Sequence, residues 1–186
     1  MINAALFIDN SNFYHALKES GKLPFHPKDY SLLFEKLSIW FDLKQIILYD
    51  ASKDSGIEPE QYASQQRFHA KIKALSEKWP IELKTRKLKY RRIETRKIPI
   101  EKGIDILIAV DAIKAALSKK VDSIIILSGD ADFVPAVEFI KSLGLKTVNV
   151  HLYSGSSTEL RNKCDENITI EFDNVDMKLR RSTNKD

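Results

Sequence analysis

The chain has 186 residues, 43% of them hydrophobic and 30% charged, enough to bury one real core and too few for two ordinary domains. Its only cysteine, Cys164, excludes an intrachain disulfide, and the scattered His15, His26, His69 and His151 do not suggest a zinc cluster. The opening MINAALFIDNSN has no basic lead and no segment approaches ~18 uninterrupted apolar residues, so the expectation is a cytoplasmic protein with no signal peptide and no membrane span.

In chain order, residues 4–8 read as a buried strand and 12–20 as a helix that stops at Gly21, the opening of an α/β unit. After a loop between Pro24 and Pro27, Asp29 is placed to cap a helix through DYSLLFEKLSIWF, and LKQIILYDAS supplies a second strand. Pro59 starts a long helix on which Phe68, Ile72, Leu75 and Trp79 fall at spacings of four, three and four, a single apolar stripe that packs on the sheet. Residues 81–90 read as a strand running into a basic hairpin, and GIDILIAVDAIKAALSKK as a helix of about five turns. SIIILSGD is the most apolar strand; DFVPAVEFIKSLG is its helix, ended by Gly144, and KTVNVHLY another strand. A short helix over 157–163 and a strand ITIEF complete a domain of residues 1–172, with the hairpin at about 84–100 as an insertion and 173–186 as a polar, frayed tail. Alternating strands and helices predict a three-layer α/β/α sandwich on a mostly parallel sheet with right-handed crossovers.

The formal charge of +4 is unevenly spread. Between residues 81 and 100, Lys84, Arg86, Lys87, Lys89, Arg91, Arg92, Arg96 and Lys97 face only Glu82 and Glu94, a surplus of six that leaves the rest of the chain at two negative. With Tyr90 in its middle, this segment suits a phosphate backbone and a stacking base. It equally suits a solvated edge hairpin, because lysine-rich edges deter aggregation.

Four aspartates carry the chemistry: Asp9 in ALFIDNSN, Asp105 in EKGIDILIAVDA, and Asp130 and Asp132 in IIILSGDADF. Asp9 and Asp130 end apolar strands, and in a parallel sheet ligands bind beyond the carboxyl ends, where strand order reverses. If the two strands are neighbours, both acids face one crevice. In ILSGDAD, Gly129 frees the backbone to turn sharply while Asp130 and Asp132 aim oxygens at one hard cation. Capping competes with this reading: Asp132 suits the N-cap of a helix beginning at Phe133, and after the first strand Asn10, Ser11 or Asn12 suits the cap of the first helix. Asp105 and Asp111 lie six apart on one helix, about 9 Å along the axis and some 240° around it, so one ion cannot easily use both. Asp105 shares a face with Ala109, Ala112 and Ala116, and Lys102 and Gly103 mark its helix start. Asp111, beside Ile104, Leu107, Ile108 and Ala115, reads as an internal hydrogen-bonding acid.

FIDNSN, EKGIDILIAVDA and LSGDADFVPAVEFIKSLG, in this order and at this separation, resemble the LabA-like branch of the NYN domains, part of the PIN-like nuclease superfamily, over residues 4 to 152. The resemblance implies a PIN-like α/β/α sandwich and a metal-dependent ribonuclease activity. It places the acidic site on Asp9, Asp105, Asp130 and Asp132, with Asn12 and Ser128 beside them. Glycine often follows the first aspartate in the family; this chain has Asn10.

The chemistry agrees with the resemblance. Cleaving an RNA phosphodiester calls for an activated water and neutralised charge at phosphorus, which one or two Mg2+ or Mn2+ ions held by carboxylates provide. Clustered aspartates raise one another's pKa values when empty, a cost the ion offsets. The expected arrangement has Asp9 and Asp130 holding the principal ion, Asp105 and Asp132 completing its surroundings partly through water, and Asn12 or Ser128 orienting phosphate or water. The basic segment would grip flanking RNA, and a homodimer is compatible with everything above. The main rival is a catalytically weak or inactive RNA-binding regulator retaining fold and metal site. A von Willebrand A-like adhesion module approaches Asp9-Asn10-Ser11-Asn12 with its DxSxS motif, but Asn12 replaces the second serine. A phosphohydrolase with an aspartyl intermediate lacks its second aspartate at Ser11.

Overall fold

Side-chain alternation along the first strand sets the layers. β1 (Ile2–Asp9) sends Ala4, Leu6 and Ile8 into one core and Ala5 and Phe7 into the other, all of them fully buried, as a strand covered on both faces requires. The computed structural model describes residues 1–93, 96–173 and 176–184. Glu94 and the side chain of Arg96 lie outside the described residues. Over the first core lie α1 (Asn10–Glu19), α2 (Pro27–Leu37) and α3 (Pro59–Ala74), contributing Phe13, Leu33, Phe34 and Ile72. Over the second lie α4 (Ile104–Leu117), α5 (Val134–Ser142) and α6 (Thr158–Lys163), contributing Ile104, Ile108, Val137 and Leu160.

Between the layers run β2 (Phe41–Ser52), β3 (Ile81–Lys87), β6 (Ser123–Leu127), β7 (Lys146–Leu152), β8 (Glu166–Asp173) and β9 (Asp176–Thr183), while β4 (Lys89–Ile93) and β5 (Arg96–Ile100) pair with each other, among the described residues, as a separate two-stranded basic hairpin. The sheet order is β3-β2-β1-β6-β7-β8-β9, parallel throughout except for β9. The α/β/α sandwich on a mostly parallel sheet is therefore the observed fold. Phe68, Ile72, Leu75 and Trp79 pack on the first core, but the helix ends at Ala74, so Leu75 lies in a 3-10 turn and Trp79 beyond it.

Three local expectations are corrected. The second helix stops at Leu37, because Phe41 is already paired with Ile2 in the sheet. Asp29 is not the residue preceding that helix: it sits in the first turn and its carboxylate accepts from the His26 backbone N–H at 2.6 Å. The described part of the tail is not frayed. Residues 176–183 form an edge strand in which Met177 is buried and Arg181 grips Glu166 through Nε and Nη2, each at 3.0 Å, while lying over Trp40 and Phe41. No helix among the described residues is long and apolar enough to cross a membrane.

Candidate active site

The chain builds outward from β1 to β2 and β3, then returns to place β6 on the other side of β1, with Ile8 beside Leu127 in parallel register. Strand order thus reverses between β1 and β6, and the crevice beyond their carboxyl ends is where a doubly wound sheet binds ligands. Asp9 ends one of these strands and Ser128-Gly129-Asp130 follows the other.

Asp9 is 3% exposed. One carboxylate oxygen accepts from the Asn12 backbone N–H at 3.0 Å, capping α1, and the other accepts from Ser128 Oγ at 3.2 Å. Capping and clustering therefore coexist in one side chain. Burial pushes its carboxyl up to about 7, the Asn12 hydrogen bond opposes the rise, and the negative charges of Glu101 and Asp105 add to it. Asn12 in turn accepts from the Gly129 N–H at 2.8 Å, tying the α1 turn to the loop after β6.

That loop has a different reason for its glycine than a sharp turn. Gly129 is not in the left-handed region, but a Cβ there would lie 2.0 Å from the Gly155 carbonyl oxygen. The close passage is held by the Ser157 N–H donating to the Gly129 carbonyl at 2.8 Å. Asp130 then caps a short 3-10 turn over Ala131–Phe133, accepting from the Asp132 N–H at 2.9 Å, while its own N–H donates to Ser128 Oγ at 3.2 Å. The cap is thus Asp130, and Asp132 extends exposed beyond it.

Asp105 lies in the first turn of α4, half-buried. Partial burial raises its pKa, with Asp130 and Asp132 adding like charge, and Asp105 in turn adds to the rise at Asp9. An open cleft beside them is lined by Gly103, Asp105, Ile106, Asp132 and Glu159 among others. The turn into α4 rests on Gly103, which adopts a left-handed φ of 81°; Arg86 donates to the Gly103 carbonyl at 2.9 Å and would crowd a Cβ there. Lys102 is exposed at this turn.

Glu101, not singled out from the sequence, joins the cluster. Its carboxylate accepts from Ser11 Oγ at 2.6 Å. Although Glu101 is exposed at its surface, desolvation of its carboxyl first, then the charges of Asp105 and Asp50, raise its pKa. Its position in EKGID, four residues before Asp105, was the available signal. Asp111 belongs elsewhere: Lys84 Nζ and the Tyr49 hydroxyl both donate to it at 2.9 Å, in a second cleft shared with Lys114. Burial alone would raise Asp111, but these hydrogen bonds and the charges of Lys84 and Lys114 outweigh it and the net shift is downward.

A model of the NYN domain family matches residues 3–171. The chain belongs to the NYN domain family. NYN domains are part of the PIN-like nuclease superfamily, which typically uses divalent metals. An uncharacterised protein of Methanocaldococcus jannaschii is 36% identical over 67 residues, a stretch that covers 36% of this chain and 28% of that protein. A crystal structure of a protein of unknown function from Vibrio parahaemolyticus superimposes with a TM-score of 0.66 at 20% identity, covering 95% of this chain and 96% of the other, a likeness of fold alone.

In this NYN domain the basic segment is divided by the structure. Lys84 is committed to Asp111 and Arg86 to the turn before α4. Lys87, Lys89, Arg91, Arg92 and Lys97 are exposed at the end of β3 and on the hairpin. The Tyr90 hydroxyl donates to Glu58 at 2.6 Å and accepts from the Asp54 N–H at 3.2 Å, pinning the hairpin to the loop between β2 and α3.

Proposed function

We propose that this NYN domain is a metal-dependent ribonuclease that hydrolyses RNA phosphodiester bonds at the carboxylate cluster. The observation that carries the reading is Asp9: a carboxyl buried at a topological switch point and raised to about 7, with Glu101 and Asp105 adding negative charge. A fold that holds such a group against its own electrostatics does so most economically for a cation. The donor set fits a hard ion, being all oxygen. Among the described residues no three His, Cys, Asp or Glu side chains form a group ready to enclose an ion; in this reading Mg2+ or Mn2+ is held by one or two carboxylates and keeps several waters.

Asp9 and Asp130 are the direct ligands in this reading, with Asp105 and Asp132 reaching the ion partly through water. When bound, the ion lowers the pKa of water and offsets charge on the phosphoryl oxygens. The chain's own residues supply the rest. Ser128 Oγ, donating to Asp9 and accepting from the Asp130 N–H, holds the two ligands at a fixed separation. Asn12 fixes the loop that carries Asp130. The exposed cations of the hairpin, whose second strand ends at Ile100 just before the α4 turn, hold the flanking backbone. A non-catalytic RNA-binding regulator is favoured instead by one observation, that the hairpin's charge stands exposed and needs no chemistry to bind RNA. The separating experiment is incubation of single-stranded RNA with the protein and Mn2+. Cleavage that EDTA stops and Asp130→Asn abolishes establishes the nuclease; RNA binding without such cleavage establishes the regulator.

A further inference from the structure

The residue after Asp9 faces away from the acidic cluster into a polar network of its own. Asn10 is 8% exposed at the start of α1. Its amide donates through Nδ2 to Asp50 at 3.1 Å, and its Oδ1 accepts from the Tyr30 hydroxyl. Asp50, itself 6% exposed, stands near the end of β2 with the alternation of Ile46 and Leu48, which face the α1–α3 layer. There its second oxygen accepts from His69 Nε2 at 2.6 Å and Gln65 Nε2 at 2.9 Å, both on α3. The Gln65 amide also donates to the Ala51 carbonyl at 2.8 Å and its oxygen accepts from the Lys53 N–H at 2.9 Å, so its orientation is set. Tyr30, fully buried on α2, keeps the proton it donates to Asn10, since burial and then Asp50 raise its pKa far above neutrality.

Both ends of the Asn10 amide are thus fixed by partners that are fixed themselves. α2 and β2 bond the Asn10 side chain directly and α3 reaches it through Asp50, and Asn10 directly follows Asp9 in the chain. Ser11 and Asn12 reach Glu101 and Gly129, so four consecutive residues tie four different parts of the fold to the first turn of α1. Of the ties made by residues 10 to 12, the one through Asn10 is the most buried, and it reaches the site from behind the sheet. Outer groups that hydrogen-bond a ligating carboxylate typically contribute about 10–100-fold in metal affinity; Asn10 bonds Asp50 and Tyr30 instead and acts on Asp9 through the backbone the two residues share.

We propose that Asn10, held by Asp50, is the positioning residue that aims the Asp9 carboxylate at its ion. The inference rests on the metal site proposed above. A second carboxylate placed behind the first, out of reach of the cleft, makes ion affinity depend on the packing of α2 and α3 against β2. The chain uses asparagine where a glycine would supply no such link.

The test is a Mn2+ titration of the full chain by electron paramagnetic resonance, with melting temperature measured in parallel, for wild type, Asn10→Ala, Asp50→Asn and a core control, Ile72→Val. Ile72 is fully buried on α3 less than one turn from His69. Asn10→Ala is expected to weaken Mn2+ at least tenfold and Asp50→Asn by a smaller factor, while Ile72→Val lowers the melting temperature and leaves Mn2+ affinity within twofold of wild type. The inference is overturned if both network variants fold and bind Mn2+ within twofold of wild type, or if Ile72→Val weakens Mn2+ as much as they do. Should Asn10→Ala fail to fold, Asp50→Asn, which preserves the shape of the network, is read by the same criteria. A wild-type chain without saturable Mn2+ binding overturns the metal site itself, a failure distinct from intact binding that the variants do not disturb.

Discussion

Asp9 and Asp111 are both held largely away from solvent on the α4 side of the same sheet, yet their environments drive them in opposite directions. At the carboxyl end of β1, Asp9 is pushed up to about 7 by burial with Glu101 and Asp105 nearby. In the cleft shared by β3 and α4, Asp111 is drawn below its ordinary value because Lys84, Tyr49 and Lys114 outweigh its burial. The second is a compensated acid of the kind that holds a fold together; the first is an acid the fold tolerates at a cost, and such groups concentrate where chemistry is done. The distinction lies in counter-charge, since burial alone would have raised both.

The largest effect that separates the two regions is on cleavage. Asp9→Asn is expected to reduce Mn2+-dependent RNA cleavage by roughly 100-fold or more, as loss of a direct ligand does, whereas Asp111→Asn leaves the rate of folded protein within about threefold. Equal losses in a gel-based cleavage assay would erase the comparison.

Stability should respond with the opposite signs. In metal-free protein at pH 8, Asp9→Asn relieves a desolvated charge and is expected to stabilise, by no more than about 4 kcal/mol for a shift of this size. Asp111→Asn leaves Lys84 without its anion and should destabilise by roughly 1–3 kcal/mol. Denaturant melts read both. pH then sharpens the contrast. Asp9 ionises near 3.8 in the unfolded chain and near 7 in the folded one, so the folded state retains a proton over that interval and loses stability as pH rises through it. The advantage of Asp9→Asn is therefore full above 7 and should fade as pH falls toward 4. The Asp111 shift is downward, so the stability it provides is present at neutral pH and lost on acidification, and the deficit of Asp111→Asn should shrink there too. An Asp9→Asn advantage that grows on acidification would contradict the assignment.

The smallest expected effect distinguishes paired from exposed cations. Lys89→Ser with Arg91→Ser should make RNA binding less sensitive to salt, the slope falling by about 0.7 for each phosphate no longer neutralised, and leave the melting temperature nearly unchanged. Lys84→Ser should do the reverse, because its ammonium is spent on Asp111. Fluorescence anisotropy across a salt series is the readout.

The parts of this structure legible in the sequence are those encoded locally. Apolar strands ending in acids placed Asp9 and Asp130 at strand ends, and the alternation of strands with helices gave the layers; that β1 and β6 are neighbours is read from the sheet order alone. What escaped was encoded across the chain. Asp50 ends a strand much as Asp9 does, but its partners Asn10, Gln65 and His69 lie 40, 15 and 19 positions away on two helices, and no spacing announces them. Gly129 owes its identity to Gly155, a neighbour only after folding. Lys84 and Arg86 belong by composition to a basic run, yet their partners, Asp111 and the Gly103 carbonyl, are 27 and 17 positions on. The tail looked polar because the apolar groups that anchor Arg181, Trp40 and Phe41, belong to a distant segment.

Where a divalent ion settles tests the carboxylate cluster most directly. A crystal structure of the protein soaked with Mn2+, read by anomalous scattering, should show an ion within about 2.6 Å of a carboxylate oxygen of Asp9 or Asp130, the range of direct coordination to hard cations. Anomalous density lying more than about 4 Å from both, or found instead at Asp111, would contradict it.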